Sequence, residues 1–172
     1  MSGNYQERFW RELDQLKVHV YYLELYLEKT ERIERGLNIV LAIASSGSIA
    51  GWAIWQNYQM TWAFIIALSQ LIHAIKPYLP FSKRLKALNA LTNDLESLFL
   101  SMENHWFNVS EGRLTEEEIH KLHMQIKGTR RQLIQKHIGS ESLPKSNKLL
   151  AQAVASTKIY FSNFYSFQEQ QQ

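Results

Sequence analysis

The chain has 172 residues, with 19 Lys and Arg against 16 Asp and Glu, and no cysteine. That length predicts one domain with room for an appendage, and the missing cysteine excludes a disulfide scaffold, a thiolate metal site and a cysteine nucleophile. A mean hydropathy of −0.29 suits a water-facing protein, yet the average hides a segregation, because no Asp, Glu, Lys or Arg lies between Arg35 and Lys76. The expectation is an all-α membrane protein, a two-helix transmembrane hairpin extended by long amphipathic helices into a cytoplasmic helical bundle.

The first predicted element is an amphipathic helix over residues 5–35, within an N-terminal region 1–36. Phe9, Leu13, Leu16, Val20, Leu23, Leu27 and Ile33 recur at intervals of three or four with one longer step, which puts them on one helix face. A hairpin region, 37–79, follows. Its first span, Leu37 to Trp55, is 19 residues long, roughly 28 Å as a helix and close to the hydrocarbon thickness. Ala42, Ser46 and Ala50 repeat at i, i+4, and Gly47 with Gly51 forms a G-x-x-x-G. Small faces of this kind let helices approach closely, either within the hairpin or between copies. Gln56 to Gln59 read as the turn, ringed by Trp52, Trp55, Tyr58 and Trp62 as an interfacial aromatic belt.

The second span runs from about Met60 to Tyr78, where Pro77 and Pro80 end it. It carries Ser69, Gln70 and His73, readable as interhelical hydrogen bonding or as the polar lining of a pore made from several copies. Arg32 and Arg35 precede the pair of spans, and Lys76, Lys83, Arg84 and Lys86 follow it. The positive-inside rule then places both termini in the cytoplasm of a bacterial inner membrane, with these basic residues at the lipid headgroups.

A helical region, 80–165, comes next. Leu85, Leu88, Leu91, Leu95, Leu98 and Met102 supply the stripe of its first helix, with Trp106 closing it. Thr115 and Glu118 spell a capping box, opening a helix that uses Ile119, Leu122, Ile126, Leu133 and Ile134 and ends near Gly139. Pro144 lies in a linker before a last helix from about Lys145 to Phe161. An aromatic tail (Tyr160, Phe161, Phe164, Tyr165, Phe167) and a disordered Gln-rich segment, 166–172, complete the chain. Alternating apolar runs are absent, so no β-structure is expected.

Nucleotide-binding and hydrolase motifs are missing: there is no G-x-x-x-x-G-K-[ST], G-x-S-x-G or G-x-G-x-x-G. His120 and His123 follow Glu116 and Glu117 without the H-E-x-x-H order and read as solvated helix surface. His19, His105 and His137 are dispersed. Neither catalysis, a metal nor a cofactor is expected. Lys127, Arg130 and Arg131 are grouped in K-G-T-R-R; they are either ordinary helix surface or contacts for a phosphate-bearing ligand, which Arg can grip in a bidentate manner.

Arg32, Arg35 and Gly36 before the first span, the pair of spans ending in Lys76-Pro77, and the aromatic stretch from Tyr160 to Tyr165 together resemble the SLATT superfamily. The likeness covers residues 5–165 and is architectural. It implies an oligomeric pore-forming effector of bacterial anti-phage defence that depolarises the membrane in abortive infection. It also implies control by an oligonucleotide second messenger, or a short nucleic acid, from a nucleotidyltransferase encoded nearby. The partners expected are therefore other copies of the chain (a tetramer or larger), the lipid bilayer and that ligand. The competing reading is a non-conducting membrane scaffold that recruits a soluble partner through its aromatic tail.

Overall fold

From Gly3 to Ile54 the backbone forms one helix, α1, of 52 residues. It is followed by α2 (Gln59–Ile75), α3 (Phe81–Ser110), α4 (Glu116–Ile138) and α5 (Asn147–Tyr165). The structure, a computed structural model, describes residues 3–54, 59–75, 81–139 and 145–165, without the side chains of 3, 44–54, 59, 62 and 81–83. Among the described residues there is no strand. The chain divides into two units, one of residues 1–27 and 86–172, the other of residues 28–85.

The first unit is a four-helix bundle built from the first part of α1 with α3, α4 and α5. Its core follows from the apolar spacing. Phe9, Leu13, Leu16, Val20, Leu23 and Leu27 of α1 are buried, as are Leu88, Leu91, Leu95, Phe99 and Met102 of α3. α4 adds Ile119 and Ile126, and α5 adds Leu149, Ala153, Thr157 and Phe161 at intervals of four. Gln6 donates to the carbonyl of Val109 at 2.8 Å while the Lys17 ammonium lies 4.4 Å from the Phe99 ring, so α1 and α3 run antiparallel. Tyr5 meets His120, and Glu12 meets Arg130, so α1 and α4 run parallel. Tyr22 meets Ser146 and Trp10 meets Tyr165, which turns α5 back again. The order is up-down-up-down, with each helix burying its apolar stripe against the others.

The turn between α3 and α4 is short because its backbone groups are satisfied locally. Gly112 takes a φ of +65°, where a side chain would be strained, and its N–H donates to the Val109 carbonyl at 3.2 Å. The capping box at the start of α4 forms as the sequence predicts: Thr115 Oγ1 accepts from the Glu118 N–H, and Glu118 Oε2 accepts from the Thr115 N–H at 2.8 Å. These bonds from Thr115 hold the Glu118 carboxyl below the usual carboxylate range. A group held down in the folded state stabilises it above its ordinary range and loses that contribution as pH falls through the lowered one. Thr115→Ala is therefore expected to cost about 1 kcal/mol at neutral pH. The gap between it and the parent in urea midpoint should shrink on going from pH 7 towards pH 3. A gap that stays constant with pH would show that the bond from the Thr115 hydroxyl to the Glu118 carboxylate contributes nothing.

The second unit, residues 28–85, corrects the membrane expectation. Among the described residues no helix is long and apolar enough to cross a membrane. The transmembrane hairpin, and with it the bacterial inner-membrane location of an integral protein, are therefore not supported. α2, the most apolar element, has 17 residues, about 25 Å of helix against a hydrocarbon core of about 30 Å. In α1 the uncharged part is not a separate span but the end of a long helix, diluted by Asn38, Ser45, Ser46 and Ser48. Of the expected turn Gln56 to Gln59, Gln59 begins α2, while 56–58 lie outside the described residues, as do Trp55, Lys76, Pro77, Tyr78, Pro80, the linker 140–144 and the tail 166–172.

Candidate functional site

The grouping of Lys127, Arg130 and Arg131 can be followed from sequence into structure, and what organises it is a residue on another helix. Glu12 of α1 is buried at 7 % exposure. A carboxylate so placed must be neutralised, since burying an unpaired charge is costly. Arg130 Nη1 donates to its Oε1 at 2.8 Å, and Lys127 Nζ lies 3.7 Å from Oε2. His123 Nε2 lies 3.5 Å from the same Oε2 without hydrogen-bonding geometry, and among the described residues it is the one buried side-chain polar atom lacking a hydrogen bond. All three partners come from one face of α4, at intervals of four and three.

Arg130 reaches further, placing Nη2 against His19 Nδ1. Desolvation by the surrounding helices, then the Arg130 charge, hold the His19 imidazole below the usual histidine range, with Glu12 opposing them. Arg131, the third cation of the K-G-T-R-R run, is exposed and has no ion pair among the described residues. It lines an open groove of about 460 Å³ with Glu12, Gln15, Lys127, Arg130, Ile134 and Gln135. One carboxylate against three cations leaves this groove positive, with amide side chains as further donors. Chemically it suits an oxyanion: Arg131 and Lys127 supply charge while Arg130 is held in place by Glu12.

The sequence reading of this cluster as either plain surface or a ligand site thus resolves residue by residue. Arg130 is a half-buried structural cation, Lys127 is shared between Glu12 and solvent, and Arg131 is open. The histidines read as dispersed or solvated are not all so. His123 faces Glu12, and His120 packs edge-on against Tyr5 with ring centroids 6.1 Å apart. His137 Nε2 lies 2.7 Å from Asp94 Oδ2, where Lys136 joins it at 3.3 Å. Those two partners, His137 first, hold the Asp94 carboxyl below the usual range. The signal that could have revealed Glu12 is its place at the edge of the α1 stripe, between Phe9 and Leu16.

A second charge embedded in the bundle is Lys17, 6 % exposed. Its ammonium stands over three rings, 4.4 Å from the centroids of Phe99 and Tyr160 and 4.8 Å from that of Tyr21. Nearby, Tyr160 and Tyr165 both donate to Glu103 Oε1, at 2.8 and 2.9 Å. Burial, then this carboxylate, push both phenols well above the usual tyrosine range. The aromatic tail is therefore built into the bundle. Phe161 packs 4.8 Å from Trp10 and Tyr165 5.4 Å from it; Phe164 stays exposed, and Phe167 is outside the described residues.

The other candidate residues lie in the second unit or at its ends. Ser46, Gly47, Ala50 and Gly51 fall in the helical backbone of α1 without described side chains, and Ala42 is exposed. Ser69 Oγ donates to the Ile66 carbonyl of its own helix at 2.8 Å, whereas Gln70 and His73 are exposed. Arg32 pairs with Glu28, Arg35 and Lys86 are exposed, Arg84 is half-buried, and the Lys83 side chain is not described. On the opposite side of α2 from Ser69, Gln70 and His73, five residues at helical spacing form an exposed apolar stripe: Met60, Phe64, Leu68, Leu71 and Ile75.

No protein-family model, curated protein or solved structure matches this chain. The resemblance to the SLATT superfamily accordingly rests on layout alone.

Proposed function

We propose that the chain works by assembly and ligand binding without catalysis, as an oligomeric effector or adaptor of the kind its layout suggests. Residues 28–85 associate with other copies, and the α1–α4 groove of the bundle takes a phosphate-bearing signal, an oligonucleotide made by a partner nucleotidyltransferase. The observation that carries the reading is the exposed α2 stripe. Met60 is 86 % exposed and Phe64 70 %, and contiguous apolar surface of this kind marks an interaction site. α2 contains no charged residue to complement a charged partner, and a stripe repeating at intervals of four, four, three and four can meet its own copy face to face. The groove adds a point of control, since a ligand that binds assembled and free chains unequally shifts the balance between them.

Light scattering on the full chain in detergent-free buffer tests this. The parent should be an oligomer, and Phe64→Glu with Leu71→Glu should release monomers, because a charge at each of two stripe positions costs far more than the contacts it replaces. In the same samples a labelled tetra-adenylate should bind, with Arg131→Glu weakening it about tenfold. A monomeric parent that floats with phospholipid vesicles would give the stripe to lipid and overturn the assembly reading. Equal binding by Arg131→Glu would overturn the ligand reading alone.

A further inference from the structure

Glu12 lines the same groove as the cations it neutralises. A carboxylate there occupies them as a bound anion would. Its Oε1 accepts from Arg130 Nη1 at 2.8 Å, and its Oε2 lies 3.7 Å from Lys127 Nζ. The two cations are held to different degrees. Arg130 is half-buried, and its other amino group is turned to His19, so its donors are committed within the bundle. Lys127 is exposed, stands beyond hydrogen-bond distance of the carboxylate, and can swing away on its flexible stem. Glu12 has no such freedom, because it is buried between α1 and α4. Arg131, one turn beyond Lys127, faces the groove without an ion pair among the described residues. Residues four apart on a helix are neighbours, about 6 Å from Cβ to Cβ, so a single ligand can reach both.

We infer that Glu12 is a built-in counter-ion of the groove, which withholds Lys127 from singly charged anions and yields it to ligands carrying several linked phosphates. The inference rests on the reading of the groove as a phosphate site and adds the class of ligand that it selects. A ligand with one charged group can answer Arg131 but gains little from Lys127, where the fixed carboxylate already stands and repels it. A ligand with two or more can hold Arg131 and displace Glu12 from Lys127, because the first attachment brings the second group to a high local concentration. Removing the Glu12 charge therefore strengthens anion binding although it weakens the bundle. In water, a unit charge about 6 Å away changes affinity by roughly a factor of three for each charge on the ligand.

Nuclear magnetic resonance titration of the full chain with sodium tripolyphosphate tests this, with dimethyl phosphate as the singly charged probe. Glu12→Gln should bind tripolyphosphate at least about tenfold more tightly than the parent does, and dimethyl phosphate about threefold more tightly. Lys127→Ala should weaken tripolyphosphate more in the Glu12→Gln background than in the parent, since Lys127 is then free to contribute fully. Circular dichroism checks that Glu12→Gln is folded. Gln15→Glu, at an exposed position of the same groove, runs the test in the opposite direction and should weaken tripolyphosphate about tenfold. A parent that binds tripolyphosphate, with an affinity that Glu12→Gln leaves unchanged or lowers, would mean that the carboxylate serves to position Arg130. That result overturns the inference while the phosphate reading stands. An equal effect of Lys127→Ala in both backgrounds, or a Gln15→Glu without effect, overturns it in the same way. Binding to neither the parent nor folded Glu12→Gln overturns the inference and the phosphate reading together.

Discussion

Replacing Glu12 by Ala should lower the stability of the bundle by about 3 kcal/mol, because breaking a buried ion pair from one side leaves the other side charged and unpaired. The figure sits at the low end of that range for a structural reason. Arg130 and His123 are largely buried, with side-chain exposures of 16 % and 14 %, but Lys127 is 48 % exposed and returns to water when its partner goes. The cost therefore falls on Arg130, which keeps only the His19 contact. Glu12→Gln, which leaves an acceptor, should cost less. Glu12→Met combined with Arg130→Met should recover most of the loss, since an apolar pair of similar volume often matches a buried ion pair. Urea unfolding of the parent and the three variants measures each of these differences. A loss below about 1 kcal/mol for Glu12→Ala, the scale of an exposed pair, would show that this cluster is solvated in solution.

How far the sequence reaches is best judged on α1. Its stripe from Phe9 to Leu27 is legible because a helix buried along one face repeats at a fixed interval, and every one of those residues is in the core. Ile33 continues the count but is exposed and belongs to the second unit. Glu12 and Lys17 sit on opposite edges of the same stripe, and no local rule says whether an edge charge reaches water or a partner. That depends on α4 and α5, which follow more than a hundred residues later. The same limit applies to His123 and His137, whose carboxylates are supplied by other helices.

The aromatic C-terminal run illustrates the converse. Its composition suggested a docking tail, whereas α5 continues to Tyr165 and its rings fill the space between Trp10, Trp106 and Phe99. The uncharged region was misread for a different reason. Absence of charge over Gly36 to Ile75 is compatible with lipid and with an association surface, and among the described residues no helix is long and apolar enough to cross a membrane. α2 is described over 17 residues and exposes an apolar stripe.

Phe99→Ala should be the most damaging single truncation on α3, at about 4 kcal/mol, within the usual cost of emptying a fully buried aromatic site. Phe99 has no exposed surface, and two contributions are superposed there. Its volume supports Phe161, whose ring centroid is 6.4 Å away, while its face receives the Lys17 ammonium at 4.4 Å. Phe99→Leu separates them by keeping most of the volume and removing the face. If packing dominates, Phe99→Leu costs no more than about 1.5 kcal/mol. If the buried cation depends on the ring, the cost approaches that of the alanine variant, because Lys17 then keeps only the rings of Tyr21 and Tyr160 beside the charge of Glu24. We expect an intermediate value, with about 1 kcal/mol assignable to the cation–π contact. The Lys17→Met background decides it: there the leucine substitution should cost less by that same amount. An unchanged cost would mean that Tyr21 and Tyr160 suffice to hold the ammonium and that Phe99 acts through its volume only.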